Sequence, residues 1–254
     1  MSQDLILSRK EGAIGRITLN RPEAMNTFTI PFAGQLDSAL RAMEDDPEIR
    51  VVIIDGAGKN FCTGISLDQF PPRTQLEARE FLYQIDAFYH TLAGMKTVTV
   101  AAVHGYALAN GAGLAFGCDL TVATETAVFG TTAINVGLIC LGPAAPMVRS
   151  LGLKKTLEMV LTGDMINAAE AEKLGLVPEA ELEGAVKSLA GKLAAKSPLA
   201  LQIGKEGINR LHATPYHQGL DLMDDLFATL CSTEDAVEGV SAFLGKRPPE
   251  WKKR

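Results

Sequence analysis

Hydrophobic and polar residues alternate at the start of the chain and then recur at helical spacing. The segment "LILSRKEGAIGRITLN" (5–20) alternates on both sides of the turn "EG", so it predicts a β-hairpin. In "TIPFAGQLDSALRAMEDD" (29–46), Pro31 suits the first turn of a helix. The apolar residues of that segment fall on one helical face: Phe32, Leu36, Leu40 and Met43. We therefore predict a hairpin followed by an amphipathic helix.

Two later apolar runs lack this alternation. They are "VVIIDG" (51–56) and "TVTVAAV" (97–103), and each predicts a strand that is buried on both faces. The segment "DLTVATETAVFG" (119–130) predicts one or two further strands. Strands and helices therefore alternate through the first part of the chain, which is typical of an α/β fold.

The pattern becomes mostly helical after Pro143. Ser197 and Pro198 are typical of the cap and first residue of a helix. The following segment carries an apolar stripe formed by Tyr216, Leu220, Met223, Phe227 and Leu230. We predict two regions: an α/β core in residues 1–195 and a helical region in residues 196–254.

The composition is that of a globular protein with neither a nucleic-acid nor a membrane partner. The 254 residues are 47% hydrophobic and 21% charged, and the formal net charge of −6 argues against a nucleic-acid surface. No apolar run is long enough to span a bilayer, and we expect no signal peptide. The four cysteines are far apart in sequence and have no histidine at ligand spacing, so we expect no metal site. The predicted compartment is the reducing cytoplasm.

Glycine-rich segments follow both predicted buried strands. They are "GAGKNFCTGISLDQF" (56–70) and "HGYALANGAGLAFGCDLTVAT" (104–124). Glycine lacks the Cβ atom that would keep a ligand away from backbone N–H groups. If the two strands are neighbours in a sheet, both turns lie at the same edge and their N–H groups can converge on one oxygen. Two such donors form an oxyanion hole, which stabilises negative charge on a carbonyl oxygen.

Five segments, in order and spacing, resemble the crotonase superfamily, which is the enoyl-CoA hydratase/isomerase family. They are "LNRPEAMNTF" (19–28), "NFCTGISLDQF" (60–70), the glycine-rich segment 104–124, "LTGDMINAAEAEKLGLVPE" (161–179) and "EGVSAFLGKRPPEW" (238–251). The resemblance implies a crotonase-like spiral of ββα units with a C-terminal helical region used for trimerisation. It also implies an acyl-CoA thioester as ligand, a homotrimer or dimer of trimers, and no cofactor besides the coenzyme A of the substrate.

The resemblance also assigns site residues. In the family the thioester oxygen lies between two backbone N–H groups, which here fall on Ile65 and Asn110. Phe243 and Lys246 fall where relatives place an acyl-pocket aromatic and a phosphate-contacting lysine, and a neighbouring subunit can supply both. Further substrate or CoA contacts are implied for Ala24, Met25, Ser66, Leu67, Asp68 and Asn135.

The sequence departs from the family at the positions of its acids and bases. The two glutamates of hydratases fall on Gly113 and Ala133, and an aspartate of some isomerases falls on Leu141. An aspartate that often follows the first oxyanion turn falls on Ser66. Adding water to a double bond needs a base for the water and an acid for the α-carbon. We therefore expect enolate stabilisation with non-standard acid–base groups, and isomerisation or decarboxylation more readily than hydration.

Several residues have two open interpretations. Cys140 is either an acid or nucleophile of the acyl pocket or a small buried residue. Thr132 and Asn135 either hold a water or substrate group or satisfy the local backbone. His104 is expected to tie the glycine turn through a structural hydrogen bond.

Two other functions compete with enolate chemistry. The first is a non-catalytic acyl-CoA-binding pseudoenzyme, which the missing glutamates favour. The second is an acyl-CoA hydrolase in which Ser66 is the nucleophile and His212 or His217 is the base.

Overall fold

Strands and helices alternate in the first part of the chain, and helices dominate after it. The computed structural model describes residues 4–173, 177–179 and 181–252, so part of the 161–179 motif lies outside the described residues. The strands are β1 (Ile6–Glu11), β2 (Ile14–Leu19), β3 (Val51–Gly56), β4 (Val98–Val103), β5 (Tyr106–Leu108), β6 (Leu120–Thr124), β7 (Val128–Gly130), β8 (Met165–Asn167) and β9 (Val177–Glu179). The α-helices are α1 (Ile30–Asp45), α2 (Gln75–Gly94), α3 (Asn110–Gly117), α4 (Leu141–Thr162), α5 (Ala168–Glu172), α6 (Leu182–Ala194), α7 (Pro198–Leu211), α8 (Tyr216–Cys231) and α9 (Glu234–Leu244). Every described helix is too short or too polar to cross a lipid bilayer.

The strands form two sheets. The larger has the order β1-β2-β3-β4-β6-β9, in which β1 and β2 are the predicted antiparallel hairpin and the remaining pairs are parallel. The smaller has the order β5-β7-β8. The strands β8 and β9 were not predicted, because each has three residues within a region of helical pattern.

The large sheet is covered on both faces, as the unbroken apolar runs predict. Val52 and Ile54 of β3 belong to the main core, which includes the predicted buried face of α1. Val51 and Ile53 point to the other face and pack in a smaller cluster with Val186 of α6. Because successive strand side chains alternate between faces, both sets must be apolar.

Helix α2 packs against α1 and carries one edge of the site described below. It starts with a capping box in which the Thr74 and Glu77 side chains each bond to the backbone of the other. Its buried face is formed by Phe81, Ile85, Phe88 and Leu92. The Phe88 ring stacks on Phe28 with centroids 5.1 Å apart.

The C-terminal helices begin as predicted. The Ser197 hydroxyl accepts a hydrogen bond from the Ala200 N–H at 3.2 Å and donates one to Asp235 at 2.6 Å, so α9 is tied to the start of α7. The apolar stripe of α8 is uncovered in part in a single chain: Tyr216 is 77% exposed and Phe227 is 65% exposed, whereas Met223 and Leu230 are half-buried. The proposed boundary at residue 195 stays a prediction.

Asn26 holds the loop after β2 against the turn after β3. Its side chain is fully buried, and Nδ2 donates to the carbonyl oxygens of Ala57, Asn60 and Phe61 at 2.9 to 3.0 Å. Its Oδ1 accepts from the Arg21 N–H at 2.8 Å. One side chain therefore satisfies four backbone groups.

We expect Asn26→Ala to lower the free energy of unfolding by about 2–3 kcal/mol, because buried backbone groups would lose their partners. Urea denaturation measures this change. The matched control is Asn20→Ala, which removes one exposed hydrogen bond to the Asp4 carbonyl and should cost less than about 0.5 kcal/mol. Equal losses in the two variants would contradict the structural role assigned to Asn26.

Candidate active site

The two glycine-rich turns meet through backbone hydrogen bonds. The strands that precede the two turns, β3 and β4, are parallel neighbours, which confirms that both turns lie at one edge of the sheet. Beyond the strands, the Cys62 N–H donates to the Tyr106 carbonyl at 3.1 Å, and the Leu108 N–H donates to the Cys62 carbonyl at 2.8 Å. The segment after β3 therefore runs beside β5.

Two glycines allow this close approach. A Cβ atom at Gly111 would overlap the Cys62 carbonyl. Gly64 has a φ of +95°, and a Cβ atom there would lie 2.6 Å from the Ala109 Cβ and 3.6 Å from the Asn110 nitrogen. Glycine is required at both positions, because any side chain would push the turns apart.

Two backbone N–H groups are left without acceptors where the turns meet. The flanking peptides of Ile65 are paired, since the Phe28 N–H donates to the Gly64 carbonyl at 2.7 Å and the Ser66 N–H to the Phe28 carbonyl at 3.0 Å. Within the described chain, no hydrogen bond is formed by the N–H of Ile65 or by that of Asn110, which is the first residue of α3. Free N–H groups at a helix start attract negative charge.

The Asn110 side chain points to α2 and away from its own N–H. Its Nδ2 donates to Asp86 Oδ1 at 2.9 Å. The Tyr89 hydroxyl donates to the Asn110 carbonyl at 3.2 Å. Ala109, just before it, has a positive φ of 49°, an uncommon conformation for a residue with a side chain. Asn110 is thus held by two groups of α2, and its side-chain amide binds Asp86 rather than capping its own N–H.

Comparisons with known proteins identify this arrangement. The Enoyl-CoA hydratase/isomerase family profile matches residues 9–254. The chain belongs to the enoyl-CoA hydratase/isomerase family. The resemblance to the crotonase superfamily and the predicted crotonase-like α/β fold are thereby confirmed.

Individual relatives match over the full chain. A 2,3-dehydroadipyl-CoA hydratase of Escherichia coli is 37% identical over 262 residues, covering 99% of each chain. A Mycobacterium bovis protein named "Probable enoyl-CoA hydratase echA8" is 35% identical over 259 residues and covers all of both chains. The crystal structure of an enoyl-CoA hydratase from Mycobacterium smegmatis superposes with a TM-score of 0.92 at 32% identity, covering 97% of this chain and 98% of that one.

The position expected for the first hydratase glutamate is occupied by a tyrosine from another helix. A Cβ atom at Gly113 would overlap the Tyr89 hydroxyl and lie 2.8 Å from the Pro143 Cα. Burial raises the pKa of Tyr89 well above its ordinary value, and the nearby Asp86 acts in the same direction. The phenol is therefore neutral and acts as a hydrogen-bond donor.

The position expected for the second glutamate lies beside Cys140. The sulfur of Cys140 is hydrogen-bonded to the backbone of Ala133, and Cys140 is 5% exposed. Burial raises the pKa of the thiol, and the bond from Ala133 opposes this only in part. Cys140 is therefore protonated at neutral pH, which disfavours it as a nucleophile because the thiolate is the reactive form.

Asp86 is a site residue that the sequence analysis missed. Its pKa is raised to about 6 by burial, against the opposing effects of the Asn110 hydrogen bond and of His90. No motif marks an aspartate inside an amphipathic helix. The spacing of Asp86 and Tyr89 could have indicated the site. They are three residues apart at the border of the buried face of α2, so their side chains lie on the same side of the helix.

The residues expected to contact CoA lie together beside the first turn. Ala24 ends a 3-10 helix (Pro22–Ala24), and Met25 follows it with a φ of 53°. The Thr63 N–H donates to the Met25 carbonyl at 3.2 Å and joins this loop to the turn. Leu67 and Asp68 are exposed in a second 3-10 helix (Leu67–Gln69) that follows Ser66.

The remaining predicted residues lie farther out. Asn135 is exposed in a 3-10 helix (Thr132–Val136) that also holds Thr132. Phe243 is 83% exposed near the end of α9, and Lys246 follows that helix. The predicted structural role of His104 is confirmed, since its Nε2 lies 3.0 Å from the Gly58 carbonyl oxygen.

The geometry does not favour the Ser66 hydrolase. The Ser66 side chain bonds to Asp68, where it is the largest of the effects that lower the pKa of that carboxyl. His212 instead lines a cavity of about 680 Å³ between α2, α4 and α7, and Ser66 is not among the residues that line it. His217 packs its ring against Tyr216. Among the described residues, no cluster of three or more His, Cys, Asp or Glu could hold a metal ion.

The raised pKa of Asp86 predicts how its replacement changes stability. The folded-state pKa of about 6 exceeds the unfolded value of about 3.9, so the folded state binds the proton more tightly. Stability therefore falls as pH rises from about 4 to about 6 and stays reduced at neutral pH. Asp86→Asn should be more stable than the wild type at pH 7.5 by about 1 kcal/mol, or about 2–4 °C in Tm, after allowance for partial exposure.

Thermal unfolding followed by circular dichroism at several pH values tests this. The gain should shrink as the pH falls from about 6 towards about 4, because the folded protein then carries Asp86 in its protonated form. Glu80→Gln removes an exposed carboxylate from the same helix and should change Tm little at any pH. A stabilisation by Asp86→Asn that did not vary with pH would be inconsistent with a raised pKa.

Proposed function

We propose that this chain binds an acyl-CoA thioester and stabilises its enolate between the N–H groups of Ile65 and Asn110. The main support for this proposal is that two backbone N–H groups have no acceptor at the point where the two turns touch. A thioester enolate concentrates negative charge on the carbonyl oxygen, and fixed donors stabilise that charge without reorganising. The N–H of Asn110 also begins α3, so the helix dipole favours the same charge.

The reaction we propose does not use two glutamates. Gly113 and Ala133 supply no acid or base, and the Tyr89 hydroxyl occupies the space in which a side chain at position 113 would start. Hydration needs one group for water and one for the α-carbon. Isomerisation needs a single proton carrier, and decarboxylation needs only stabilisation of the enolate that is left. We therefore infer isomerisation or decarboxylation, with non-standard acid–base groups.

For the rest of the ligand we propose the surface beside Ile65. Met25, Leu67 and Asp68 are exposed there, and Ala24 and Ser66 are half-buried next to the turn. Asn135 lies in the segment proposed to line the acyl end. Coenzyme A belongs to the substrate, and we propose that the enzyme needs no other cofactor and acts in the cytoplasm.

Turnover of a set of CoA thioesters tests the proposed reaction. Purified protein incubated with 2-enoyl, 3-enoyl, malonyl-type and hydroxyacyl thioesters of CoA should convert a 3-enoyl thioester to its 2-enoyl isomer or release carbon dioxide from a malonyl-type one. Mass spectrometry with chromatographic separation of isomers distinguishes these products. Thioesters that are retained but unchanged would favour the non-catalytic binder. Release of free CoA that is lost in Ser66→Ala would favour the hydrolase.

Removal of one backbone N–H donor tests the proposed oxyanion hole. Ile65→Pro removes one N–H and should lower kcat by about 10²–10³. Ile65→Val keeps the N–H while trimming the side chain, so it separates loss of the donor from loss of packing. Circular dichroism and thioester binding must show that the proline variant is folded. A folded, ligand-binding Ile65→Pro variant with an unreduced kcat would refute the proposed oxyanion hole.

We also propose that the exposed apolar face of α8 and α9 packs against other copies of this chain. Phe227 of α8 and Val237, Val240 and Phe243 of α9 are each more than 60% exposed, and large exposed apolar surfaces are typical of protein interfaces. A homotrimer or a dimer of trimers would cover this face. It would also allow Phe243 and Lys246 to reach the site of a neighbouring copy.

Sedimentation equilibrium should give a mass of three or six times the 27.1 kDa of the chain. Phe227→Glu places a charge in the proposed interface and should release monomers, since burying an unpaired charge is costly. Leu7→Glu changes an exposed leucine of β1 and serves as the control that should keep the assembly. A monomeric wild type would exclude the interface.

A further inference from the structure

Asp86 is the carboxylate that contacts the residue bearing one proposed oxyanion donor. Helix α2 brings it there, because Asp86 follows Ile85 at the edge of the buried face. Its Oδ1 accepts from the Asn110 amide at 2.9 Å. Its Oδ2 lies against Gly142 at the start of α4, where a Cβ atom would overlap it. The carboxylate is thus fixed between α3 and α4.

The surroundings of Asp86 differ from those of the other half-buried aspartates. Asp55 is paired with Arg16 at 2.6 Å, and Asp119 is paired with Lys205 at 2.7 Å. Within the described chain, Asp86 forms no such ion pair, and its recorded hydrogen bond comes from a neutral amide. A half-buried carboxylate without a cation is costly to stability and is typical of functional sites.

Few titratable groups face Asp86. From its own helix these are Tyr89 and His90, and from α3 the neighbour is the neutral Asn110 amide. Cys140, just before α4, and Cys62, beside β5, act on Tyr89, and burial raises the pKa of both thiols. Asp86 is therefore the carboxylate among these groups, and burial keeps Tyr89, Cys62 and Cys140 in their neutral forms.

We propose that Asp86 is the catalytic base and acid of this site and moves a proton along the acyl chain of a 3-enoyl thioester. This rests on the proposed function. The carboxylate removes a proton from C2; the C2–H electron pair forms a C1–C2 double bond, and the carbonyl pair moves onto the thioester oxygen. The protonated Asp86 then delivers the same proton to C4, the double bond shifts to C2–C3, and the carbonyl re-forms. Proton and electron counts balance without a second reagent.

The geometry couples the two halves of this step through Asn110. Its side chain binds the base and its backbone N–H is a proposed oxyanion donor. When Asp86 takes up the proton it loses its negative charge as the thioester oxygen gains one, so the net charge of the site stays constant. A base whose pKa lies near the working pH suits proton transfer in both directions, and burial of Asp86 raises its pKa towards that range.

The test compares wild type, Asp86→Asn and the control Glu80→Gln with trans-3-hexenoyl-CoA and with hexanoyl-CoA in D2O. The first probe reports isomerisation and the second reports deuterium exchange at C2 without net reaction. We expect Asp86→Asn to lower kcat and the exchange rate by about 10²–10⁴ with little change in KM, and Glu80→Gln to match the wild type. If Asp86 served only to hold Asn110 in place, Asp86→Asn would keep kcat close to the wild-type value, because asparagine retains an oxygen that can accept the Asn110 hydrogen bond.

The pH profile provides a second readout. Wild-type kcat/KM should rise through about pH 6 as Asp86 ionises, and this limb should be absent from the residual activity of Asp86→Asn. An unreduced kcat in a folded Asp86→Asn, or an unchanged acid limb, overturns the proposal. If Ile65→Pro loses activity and Asp86→Asn does not, the enolate function stands and the role of Asp86 fails. A wild type that neither exchanges nor isomerises the probes overturns this proposal, and the panel of other thioesters decides the broader function.

Discussion

The site depends on the backbone pairing between the segment after β3 and β5. The Cys62 carbonyl accepts from the Leu108 N–H, and the Cys62 N–H donates to the Tyr106 carbonyl. These bonds continue the parallel arrangement of β3 and β4 past the sheet edge, so that the turns meet while the N–H groups of Ile65 and Asn110 have no acceptor within the described chain. Gly64 and Gly111 make this possible because a methyl group at either position would strike the opposite segment.

Asn110 then joins the turns to the helices around them. Its backbone begins α3, its amide binds Asp86 and its carbonyl accepts from Tyr89, so one residue receives restraints from two helices. Ala109 adopts a positive φ immediately before it, a conformation that is costly outside glycine. Such strain persists only where the surrounding contacts determine the conformation, and the contacts of Asn110 supply that restraint.

The Tyr89 hydroxyl fills the space beside Gly113 and donates a hydrogen bond to the Asn110 carbonyl. The volume next to the turn remains filled, since the phenol lies where a Cβ atom would be. The group at this place is the hydroxyl of Tyr89 from α2, which burial keeps neutral. Asp86, a carboxylate of the same helix, accepts a hydrogen bond from the side chain of Asn110.

The sequence by itself determined the hairpin, the amphipathic α1, the doubly buried β3 and β4, and the glycine-rich turn after each of these two strands. These features follow from local periodicity and from glycine positions, which are written along the chain. The tertiary structure decided that β3 and β4 are neighbours, so that both turns lie at one sheet edge. The sequence did not determine which side chains surround Asn110, because Asp86 and Tyr89 reach it only through the packing of α2 on α3. It also left open whether the apolar stripe of α8 faces the core; the tertiary structure leaves Tyr216 and Phe227 uncovered, because periodicity defines an apolar face and not what covers it.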